Sequence, residues 1–472
     1  MQRRWLTLTP DHRFVGIATA IATVVLFGYS SLRHFLLRST AYDLGFFDNI
    51  LYRLSQGQPP IDTLHNTHIL GDHAAWILYP IALLYWITPN VHWLFGLQAL
   101  ALALGALPVY WLAKKHYGLT SLDCRILVLA YLLYPVVFNI NLFDFHPDVF
   151  APLLLLTAIT MVYRHCLWGF VVALVLLCGC KGVFGLPIAG LGVWLVLGER
   201  RYRYGVIALV MGLGWFAIAQ YSIIPTFWTG PEKGVGRYTY LGSSLTEVIF
   251  NLFLKPHVVA QHLLTGANLQ YLVMLFLPLL WGLSWRSLTP LIGALPNLML
   301  NLLSTIETQK DLDHQYSLPI LPFAILALAL ALQRRQTRLR RPRWIITWMV
   351  VMFLVLARVE YFAVRYFDEG LRTVAASRAA LSLMHPSHPV LVPSHIVPQV
   401  THRPKVQMLT WGADQIELTP FANVFLDTEV PALHTQPETV PNLLKRLHNE
   451  PEFRLVFERN NVFLFERRSQ SE

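Results

Sequence analysis

Apolar runs separated by short polar stretches recur along the chain from residue 14 to residue 361. A helix needs about 20 apolar residues to cross a bilayer, and several of the runs approach that length. Only 14% of the 472 residues are charged, whereas soluble domains carry about 25%. The pattern predicts a mainly α, polytopic helical membrane protein with about eleven spans, of which residues 14–30 form the first.

Basic residues gather in the short loops between apolar runs, most densely in residues 334–343. Because short arginine-rich loops face the cytoplasm, we expect a cytoplasmic N-terminus in an integral protein of the plasma (inner) membrane. The net charge of +10 then reflects topology, and no nucleic-acid partner is predicted. Residues 74–88 are apolar but number only fifteen and contain Pro80, so we expect an in-plane helix within a first outer loop of residues 31–90.

Histidine, proline and charge become more frequent after residue 361, and the long apolar runs stop. Short β-type runs occupy residues 388–393, 406–410, 422–426, 453–458 and 462–466, and residues 440–449 have the pattern of a helix. We therefore predict a transmembrane domain of residues 1–360 and a small soluble α/β domain of residues 361–472. The alternation of spans places this C-terminal domain on the extracytoplasmic side.

Two carboxylates, Asp43 and Asp48, stand in the otherwise apolar window AYDLGFFDN of residues 41–49. An unpaired ionised carboxylate costs several kcal/mol to bury, so their presence indicates one wall of a polar site at a membrane surface. Either carboxylate could act as a general base beside a hydroxyl nucleophile. The alternative is a surface helix whose carboxylates are simply solvated.

A second acidic group lies in the predicted outer loop of residues 139–148, which reads NINLFDFHPD. Asp144, His146 and Asp148 alternate along it, and alternate residues of an extended segment project to one side. Three ligands or proton acceptors would then converge, which makes these residues catalytic candidates. For Asp148 alone, capping of the next helix is an equal alternative.

Candidate substrate-binding residues lie in other predicted outer loops. Lys181 ends a short span and is placed either to contact a phosphate or to extend towards the headgroups. Arg237 and Tyr238 belong to a glycine-containing segment that forms a flexible loop over the site or an ordinary connector. His314 and Tyr316 precede a span, where they would bind phosphate or belong to the aromatic belt.

Asp72 and His73 of the first outer loop complete the substrate-binding candidates. Together with His65 and His68, His73 forms a histidine set without the spacing of a zinc site, so no metal ligand is predicted. No cofactor is assigned by the sequence, and a divalent metal ion is left open. The expected partners are membrane lipids.

The chain resembles the DUF2079 family of predicted membrane proteins. The residues that carry the resemblance are AYDLGFFDN, GDHAAWILYPIALLY, LQALALALGALPVYWLA, LLYPVVFNINLFDFHPDVFAPLLLL, GRYTYLGSS and, in the tail, HPVLVPSHIVPQVTHRP. That family in turn resembles the GT-C glycosyltransferase superfamily. The resemblance implies a GT-C-like fold, a polyprenyl-phosphate-linked sugar as donor, and Asp43 or Asp48 as the first-loop acid. It implies Asp144, His146 and Asp148 as the second-loop group.

The function that this resemblance implies is transfer of a sugar from a polyprenyl phosphate at the outer membrane surface. One departure qualifies it, because the family commonly has acidic residues after the lysine that we match to Lys181, and this chain has Gly182 and Val183. The alternative is therefore a catalytically altered GT-C-derived scaffold that binds a lipid or a protein partner in the membrane. A transporter is the weaker alternative, since no internal repeat is evident. Whether the protein is an active enzyme stays open at this stage.

Overall fold

The computed structural model describes residues 9–359, 371–430 and 435–468, so the first eight residues of the predicted cytoplasmic tail and the predicted domain boundary near residue 360 lie outside the described part. The described residues form two compact units. The first unit is drawn from Met1–Gly28, Ile69–Leu78 and Phe95–Arg358, and the second from Tyr29–His68, Tyr79–Leu94 and Val359–Glu472. Each unit thus combines segments that are far apart in the sequence.

The first unit is helical. The α-helices that lie wholly or mostly within it are Pro10–Phe35, Ile69–Asp72, His92–Leu104, Ala106–Trp111, Ser121–Leu132, Pro135–Phe143, Ala151–Tyr163, Leu167–Cys180, Gly185–Leu197, Tyr202–Ile218, Ile224–Phe227, Leu245–Leu254, Pro256–Leu263, Gly266–Phe276, Leu295–Leu303, Leu321–Gln333 and Pro342–Leu356. Many of these helices are short and are joined by 3₁₀ or π turns.

Within the described residues, four helical segments are long and apolar enough to cross a membrane: Pro10–Phe35, His92–His116, Ser121–Phe143 and Tyr202–Phe227. A fifth arises if Pro256–Leu263 and Gly266–Leu279, which meet at an angle of 59°, count as one broken span. The other apolar helices have only 10–17 residues. The predicted number of about eleven spans would require most of these shorter helices to cross the bilayer as well.

The helices Gly185–Leu197 and Tyr202–Ile218 pack closely because glycines face each other along their contact. A Cβ atom on Gly212 would lie 2.5 Å from the carbonyl oxygen of Gly185 and 2.6 Å from the backbone nitrogen of Ala189. Small residues allow helix backbones in membrane proteins to approach in this way. The contact fixes the helix Gly185–Leu197, which begins shortly after Lys181, against the helix Tyr202–Ile218.

The second unit contains a five-stranded mixed sheet, which confirms the predicted C-terminal strands. The strands are β1 (Val390–Val392), β2 (Val406–Met408), β3 (Asn423–Asp427), β4 (Phe453–Arg459) and β5 (Val462–Arg467), in the order β2-β1-β3-β5-β4. β1 is parallel to both β2 and β3, and the remaining pairs are antiparallel. The predicted helix is present as Thr439–Asn449, and the unit also contains the helices Phe46–Ser55, Leu78–Ile87 and Leu371–Leu383.

Residues of the predicted first outer loop belong to the hydrophobic core of this sheet. Leu37 and Ala41 are buried in one cluster with Val390 and Val397, and a side chain on Gly45 would meet a Cγ atom of Val397 at 3.1 Å. The C-terminal sheet therefore does not bury its apolar surface alone. The division into domains of residues 1–360 and 361–472 stays a prediction.

Two sequence expectations are corrected by the fold. Residues 139–143 are not loop but the end of the helix Pro135–Phe143. The amide of Asn139 donates to the carbonyl of Leu356 (3.0 Å), and that of Asn141 donates to the carbonyl of Leu26 (2.7 Å), so two polar side chains are satisfied inside an apolar helix. In residues 74–88 only Leu78–Ile87 is helical, after a turn with Ala74 at φ 52°.

The glycine contact predicts a clear difference between two neighbouring positions of the same helix. Gly212→Ala should destabilise the protein by about 1–3 kcal/mol, because the new methyl group meets backbone atoms that cannot move aside. Gly214→Ala is the control, since nothing lies within 4 Å of its Cβ position. The measurement is the melting temperature in detergent, and equal melting temperatures for the two variants would contradict the close packing.

Candidate functional site

A cavity of about 380 Å³ lies within the first unit. Its wall includes seven of the twelve residues that the sequence singles out, namely Asp72, His73, Asp148, Lys181, Arg237, Tyr238 and Tyr316. Apolar and amide side chains form much of the remainder, among them Phe184, Phe216, Ile224, Asn297 and Asn301. The sequence therefore located a real concentration of polar groups, although it included some residues that lie elsewhere.

Lys181 and Asp148 form an ion pair in this cavity. The Nζ atom of Lys181 lies 3.3 Å and 3.4 Å from the two carboxylate oxygens of Asp148. The side chains are only 12% and 4% exposed, so Lys181 does not extend into bulk water. Asp148 does not cap the following helix, because it sits in the 3₁₀ turn Pro147–Phe150 and the N-cap of Ala151–Tyr163 is Phe150.

A second ion pair joins Asp72 to Lys233 at 2.7 Å, and His73 also contacts the Asp72 carboxylate. Burial on its own would raise the pKa of Asp72, but the charges and hydrogen bonds of His73 and Lys233 outweigh it and hold this pKa well below its ordinary value. Lys233 also lies 3.9 Å from the ring centre of Trp228. The sequence analysis did not single out Lys233. The one feature that could have indicated it is its position four residues before Arg237, in the same segment.

Arg237 lies beside Tyr316. Its guanidinium donates to the Tyr316 hydroxyl (3.2 Å) and lies 5.1 Å from the ring centre, while Nζ of Lys181 lies 5.7 Å from the same ring. In the described part of the chain, no carboxylate pairs with Arg237. The cavity wall thus carries the cations Lys181, Lys233 and Arg237 and the carboxylates Asp72 and Asp148, one positive charge more than negative before His73 is counted. This balance favours an anionic ligand.

The segment that carries Arg237 is anchored to its neighbours by specific hydrogen bonds. The Tyr238 hydroxyl donates to the carbonyl of Leu300 (2.9 Å), and the backbone N–H of Thr305 donates to the carbonyl of Arg237 (3.0 Å). Gly234, at φ 85°, makes the turn into the short 3₁₀ helix Val235–Arg237. Arg237 is therefore held in position over the cavity by a defined loop structure.

Asp144 and His146 are buried, each only 3% exposed, but they do not belong to the wall of this cavity. Asp144 has φ 154° and ψ 173°, a backbone conformation that costs about 1–3 kcal/mol for a residue other than glycine. The ring of His146 stacks on Phe143 at 5.5 Å. The alternating extended loop is thus interrupted, because Asp148 belongs to a 3₁₀ turn and points to Lys181.

His314 is held in a local turn instead of facing this cavity. Asp311 accepts hydrogen bonds from the backbone N–H groups of Asp313 and His314, both at 3.0 Å, and its second oxygen lies 2.7 Å from Nδ1 of His314. The imidazole packs edge-on against Phe143 at 4.3 Å. Among the described residues, no group of three or more His, Cys, Asp or Glu side chains is placed to hold a metal ion.

Asp48 lies in the second unit and is 2% exposed. Its carboxylate accepts hydrogen bonds from the hydroxyls of Tyr85 (2.6 Å) and Thr401, and it pairs with Nε2 of His402 at 3.0 Å. Burial would raise the pKa of Asp48, but the charge of His402 and these hydrogen bonds outweigh it, so the pKa lies below its ordinary value. The imidazole of His402 stacks on Tyr52 at 4.2 Å.

The two carboxylates of the first-loop window therefore differ. Asp48 is a fully engaged buried group, which contradicts a solvated surface carboxylate. Asp43 is half-buried in the π-helical turn Ala41–Gly45, where the Thr40 hydroxyl donates to its carboxylate at 3.0 Å. Both belong to the second unit, whereas Asp148 and Lys181 belong to the first.

A family model described as "Predicted membrane protein (DUF2079)" matches residues 33–464 of the chain. The chain belongs to the DUF2079 family. This confirms the resemblance seen in the sequence and makes the chain an integral membrane protein with transmembrane helices. No curated protein matches this DUF2079 chain in sequence.

Solved structures give the fold. The DUF2079 chain is similar to ArnT from Cupriavidus metallidurans bound to undecaprenyl phosphate, with 16% identity, a TM-score of 0.55, and coverage of 97% of this chain and 98% of that one. The same ArnT in the apo state matches with 14% identity, a TM-score of 0.43 and the same coverage. The first match shows that the DUF2079 chain has an ArnT-like fold over nearly its whole length.

The buried network around Asp48 predicts that this residue stabilises the second unit. Asp48→Ala should lower the free energy of unfolding by about 3 kcal/mol or more, because it leaves buried donors and His402 without their shared acceptor. Asp43→Ala is the matched control from the same window and should cost less, since Asp43 is half-buried. Thermal melting of the two detergent-solubilised variants checks this, and equal losses would contradict it.

The lowered pKa of Asp48 also predicts a pH dependence. Its stabilising effect is complete above the unfolded-state pKa of about 3.9 and is lost as the pH falls through the lower pKa of the folded state. The difference in melting temperature between the wild type and Asp48→Asn should therefore shrink between about pH 5 and pH 3. A difference that stays constant over that range would show that the Asp48 charge does not stabilise the fold.

Proposed function

We propose that this protein is a GT-C-like glycosyltransferase that uses a polyprenyl-phosphate-linked sugar donor at the outer membrane surface. The observation that carries the proposal is the cavity in an ArnT-like fold, where Lys181, Lys233 and Arg237 leave one positive charge uncompensated. A phosphodiester carries one negative charge and would balance it. The ArnT structure with undecaprenyl phosphate supports a polyprenyl lipid as the ligand class.

In the proposed reaction an acceptor hydroxyl oxygen bonds to the anomeric carbon of the sugar, and the bond from that carbon to the phosphate oxygen breaks. Negative charge grows on the departing phosphate, and fixed cations at that point lower the barrier. Lys181 and Arg237, which both lie near the ring of Tyr316, are the proposed phosphate contacts. Tyr238, Asp72 and His73 are further proposed substrate contacts. His314 does not line the cavity, so we propose no direct contact between it and the phosphate.

The acceptor proton must pass to a base. The family resemblance implies Asp43 or Asp48 as the first-loop acid, which we propose for this role, and the network around Asp48 favours Asp43 of the two. Asp148 is the one proposed catalytic residue that lines the cavity, where it pairs with Lys181. We therefore propose Asp43 and Asp148 as the carboxylates to test for proton transfer. Asp144 and His146 belong to the same acidic segment as Asp148, and we propose only an indirect role for them.

The proposed topology has a cytoplasmic N-terminus, about eleven spans and an extracytoplasmic C-terminal domain. It rests on the arginine-rich loops, which include residues 199–203 and 334–343. In this arrangement the helix Leu78–Ile87 lies in the plane of the membrane, since ten helical residues reach only about 15 Å.

Binding of a polyprenyl phosphate should depend on Arg237. We expect Arg237→Gln to weaken binding of undecaprenyl phosphate about 10- to 100-fold, because one charge-assisted hydrogen bond contributes about 1.5–3 kcal/mol. Lys181→Met combined with Asp148→Asn should weaken binding similarly while leaving no unpaired buried charge. Lys255→Gln is the exposed control and should bind as the wild type does. Lipid-dependent thermal shifts in detergent provide the measurement, and unchanged affinity in both cavity variants would refute the phosphate assignment.

A second candidate function is the catalytically altered scaffold, which one observation favours. Gly182 and Val183 line the cavity at the positions where the family commonly has acidic residues. A Cβ atom on Gly182 would lie 2.9 Å from that of Ala219, so the wall has little room for a larger side chain. An assay that follows sugar transfer from a polyprenyl phosphate sugar to a lipid or glycan acceptor separates the two. Tight lipid binding without turnover would support the scaffold.

A further inference from the structure

Six arginines lie within the ten residues 334–343, which comprise the turn between the helices Leu321–Gln333 and Pro342–Leu356 and the first two residues of the second helix. We call residues 334–343 the basic turn. Its arginines are all exposed: Arg334, Arg335, Arg338, Arg340, Arg341 and Arg343. Within the described ranges, none of them forms an ion pair with a carboxylate. The basic turn therefore concentrates positive charge that the protein itself does not balance.

The basic turn is nevertheless held in a defined shape by the segment of residues 281–287. The carbonyl oxygen of Trp281 accepts hydrogen bonds from the backbone N–H groups of Arg338 and Leu339, both at 3.0 Å. The guanidinium of Arg334 donates to the carbonyl of Arg286 at 2.6 Å. The hydroxyl of Ser287 donates to the side-chain oxygen of Gln336 at 2.8 Å. These contacts fix the backbone and leave most of the guanidinium groups directed to the exterior.

Two exposed tryptophans lie beside arginines of this region, an arrangement that is expected at the depth of lipid headgroups. Trp285 is 77% exposed and Trp344 is 53% exposed. Arg286 lies 4.8 Å from the ring of Trp285, and Arg343 lies 5.6 Å from the ring of Trp344. Exposed tryptophans at the ends of apolar helices are typical of the membrane–water interface. An adjacent arginine then meets the phosphate layer of the same leaflet.

From these observations we propose that the basic turn, together with Arg286, is a binding site for the headgroups of anionic phospholipids. A planar guanidinium can donate two parallel hydrogen bonds to one phosphate, which a lysine cannot do. A phosphate-bearing headgroup with net negative charge also removes the repulsion among the clustered arginines, and a zwitterionic headgroup does so much less. Because the backbone of the basic turn is already fixed, lipid binding costs little conformational entropy there.

The test replaces four arginines of the basic turn whose side chains, within the described residues, form no hydrogen bond to residues 281–287. In the variant Arg335→Gln, Arg338→Gln, Arg340→Gln and Arg341→Gln, retention of phosphatidylglycerol should fall about tenfold or more relative to the wild type. The protein is transferred into mixed micelles with equal amounts of phosphatidylglycerol and phosphatidylcholine, and native mass spectrometry counts the retained lipids. The wild type should prefer phosphatidylglycerol, and the preference should weaken as salt is raised.

A matched control removes four exposed positive charges elsewhere, at Lys255, Lys445, Arg454 and Arg459. This control should retain phosphatidylglycerol as the wild type does, and both quadruple variants should melt near the wild-type temperature. Changing the four arginines of the basic turn to lysine should give intermediate retention. Equal retention in the basic-turn variant and the control, or no wild-type preference between the two lipids, would overturn the proposal. Co-purification of nucleic acid or an acidic protein that phosphatidylglycerol does not displace would also overturn it.

Discussion

The pairing of Lys181 with Asp148 is the interaction on which the candidate site depends. Both charges are almost fully buried, and a buried charge without a partner would cost several kcal/mol. The pair ties the end of the helix Leu167–Cys180 to the 3₁₀ turn Pro147–Phe150. It thereby joins two segments that contribute to the cavity wall, and it sets the position of the Lys181 ammonium near the Tyr316 ring.

The same constraint recurs throughout the chain. Asp72 is balanced by Lys233 and His73, and Asp48 by His402 and two hydroxyl donors. The uncharged side chains of Asn139 and Asn141 are also paired, since each amide donates a hydrogen bond to a backbone carbonyl. Each of these buried polar groups has a partner that another part of the chain supplies. Arg237 is different, because within the described residues it has a tyrosine hydroxyl but no carboxylate.

Local patterns in the sequence predicted much of this structure. The five C-terminal strands and the helix Thr439–Asn449 were anticipated within a few residues, because alternating apolar positions and turn residues act over short distances. Lys181, Arg237 and Tyr316 were recognised because charged or aromatic residues at the ends of apolar runs are conspicuous. The GT-C-like fold followed from the family resemblance, and the ArnT-like structure confirms it.

What the sequence could not predict are pairings between distant segments. Asp72 and Lys233 are 161 residues apart, and no local pattern marks Lys233. The helix Pro135–Phe143 was missed at its end because its asparagines suggest a loop until their carbonyl partners are known. Asp148 was recognised, but its ion pair with Lys181 depends on how two helices are arranged.

The way in which the second unit shares its core has a consequence for biosynthesis. Asp48 and Thr401 are 353 residues apart, so the ribosome must make most of the chain before Asp48 can meet this partner. At about 5–20 residues per second, this delay is roughly 20–70 s. During that interval Leu37 and Ala41 lack the core that later covers them. The core of the second unit can therefore be completed only late in synthesis.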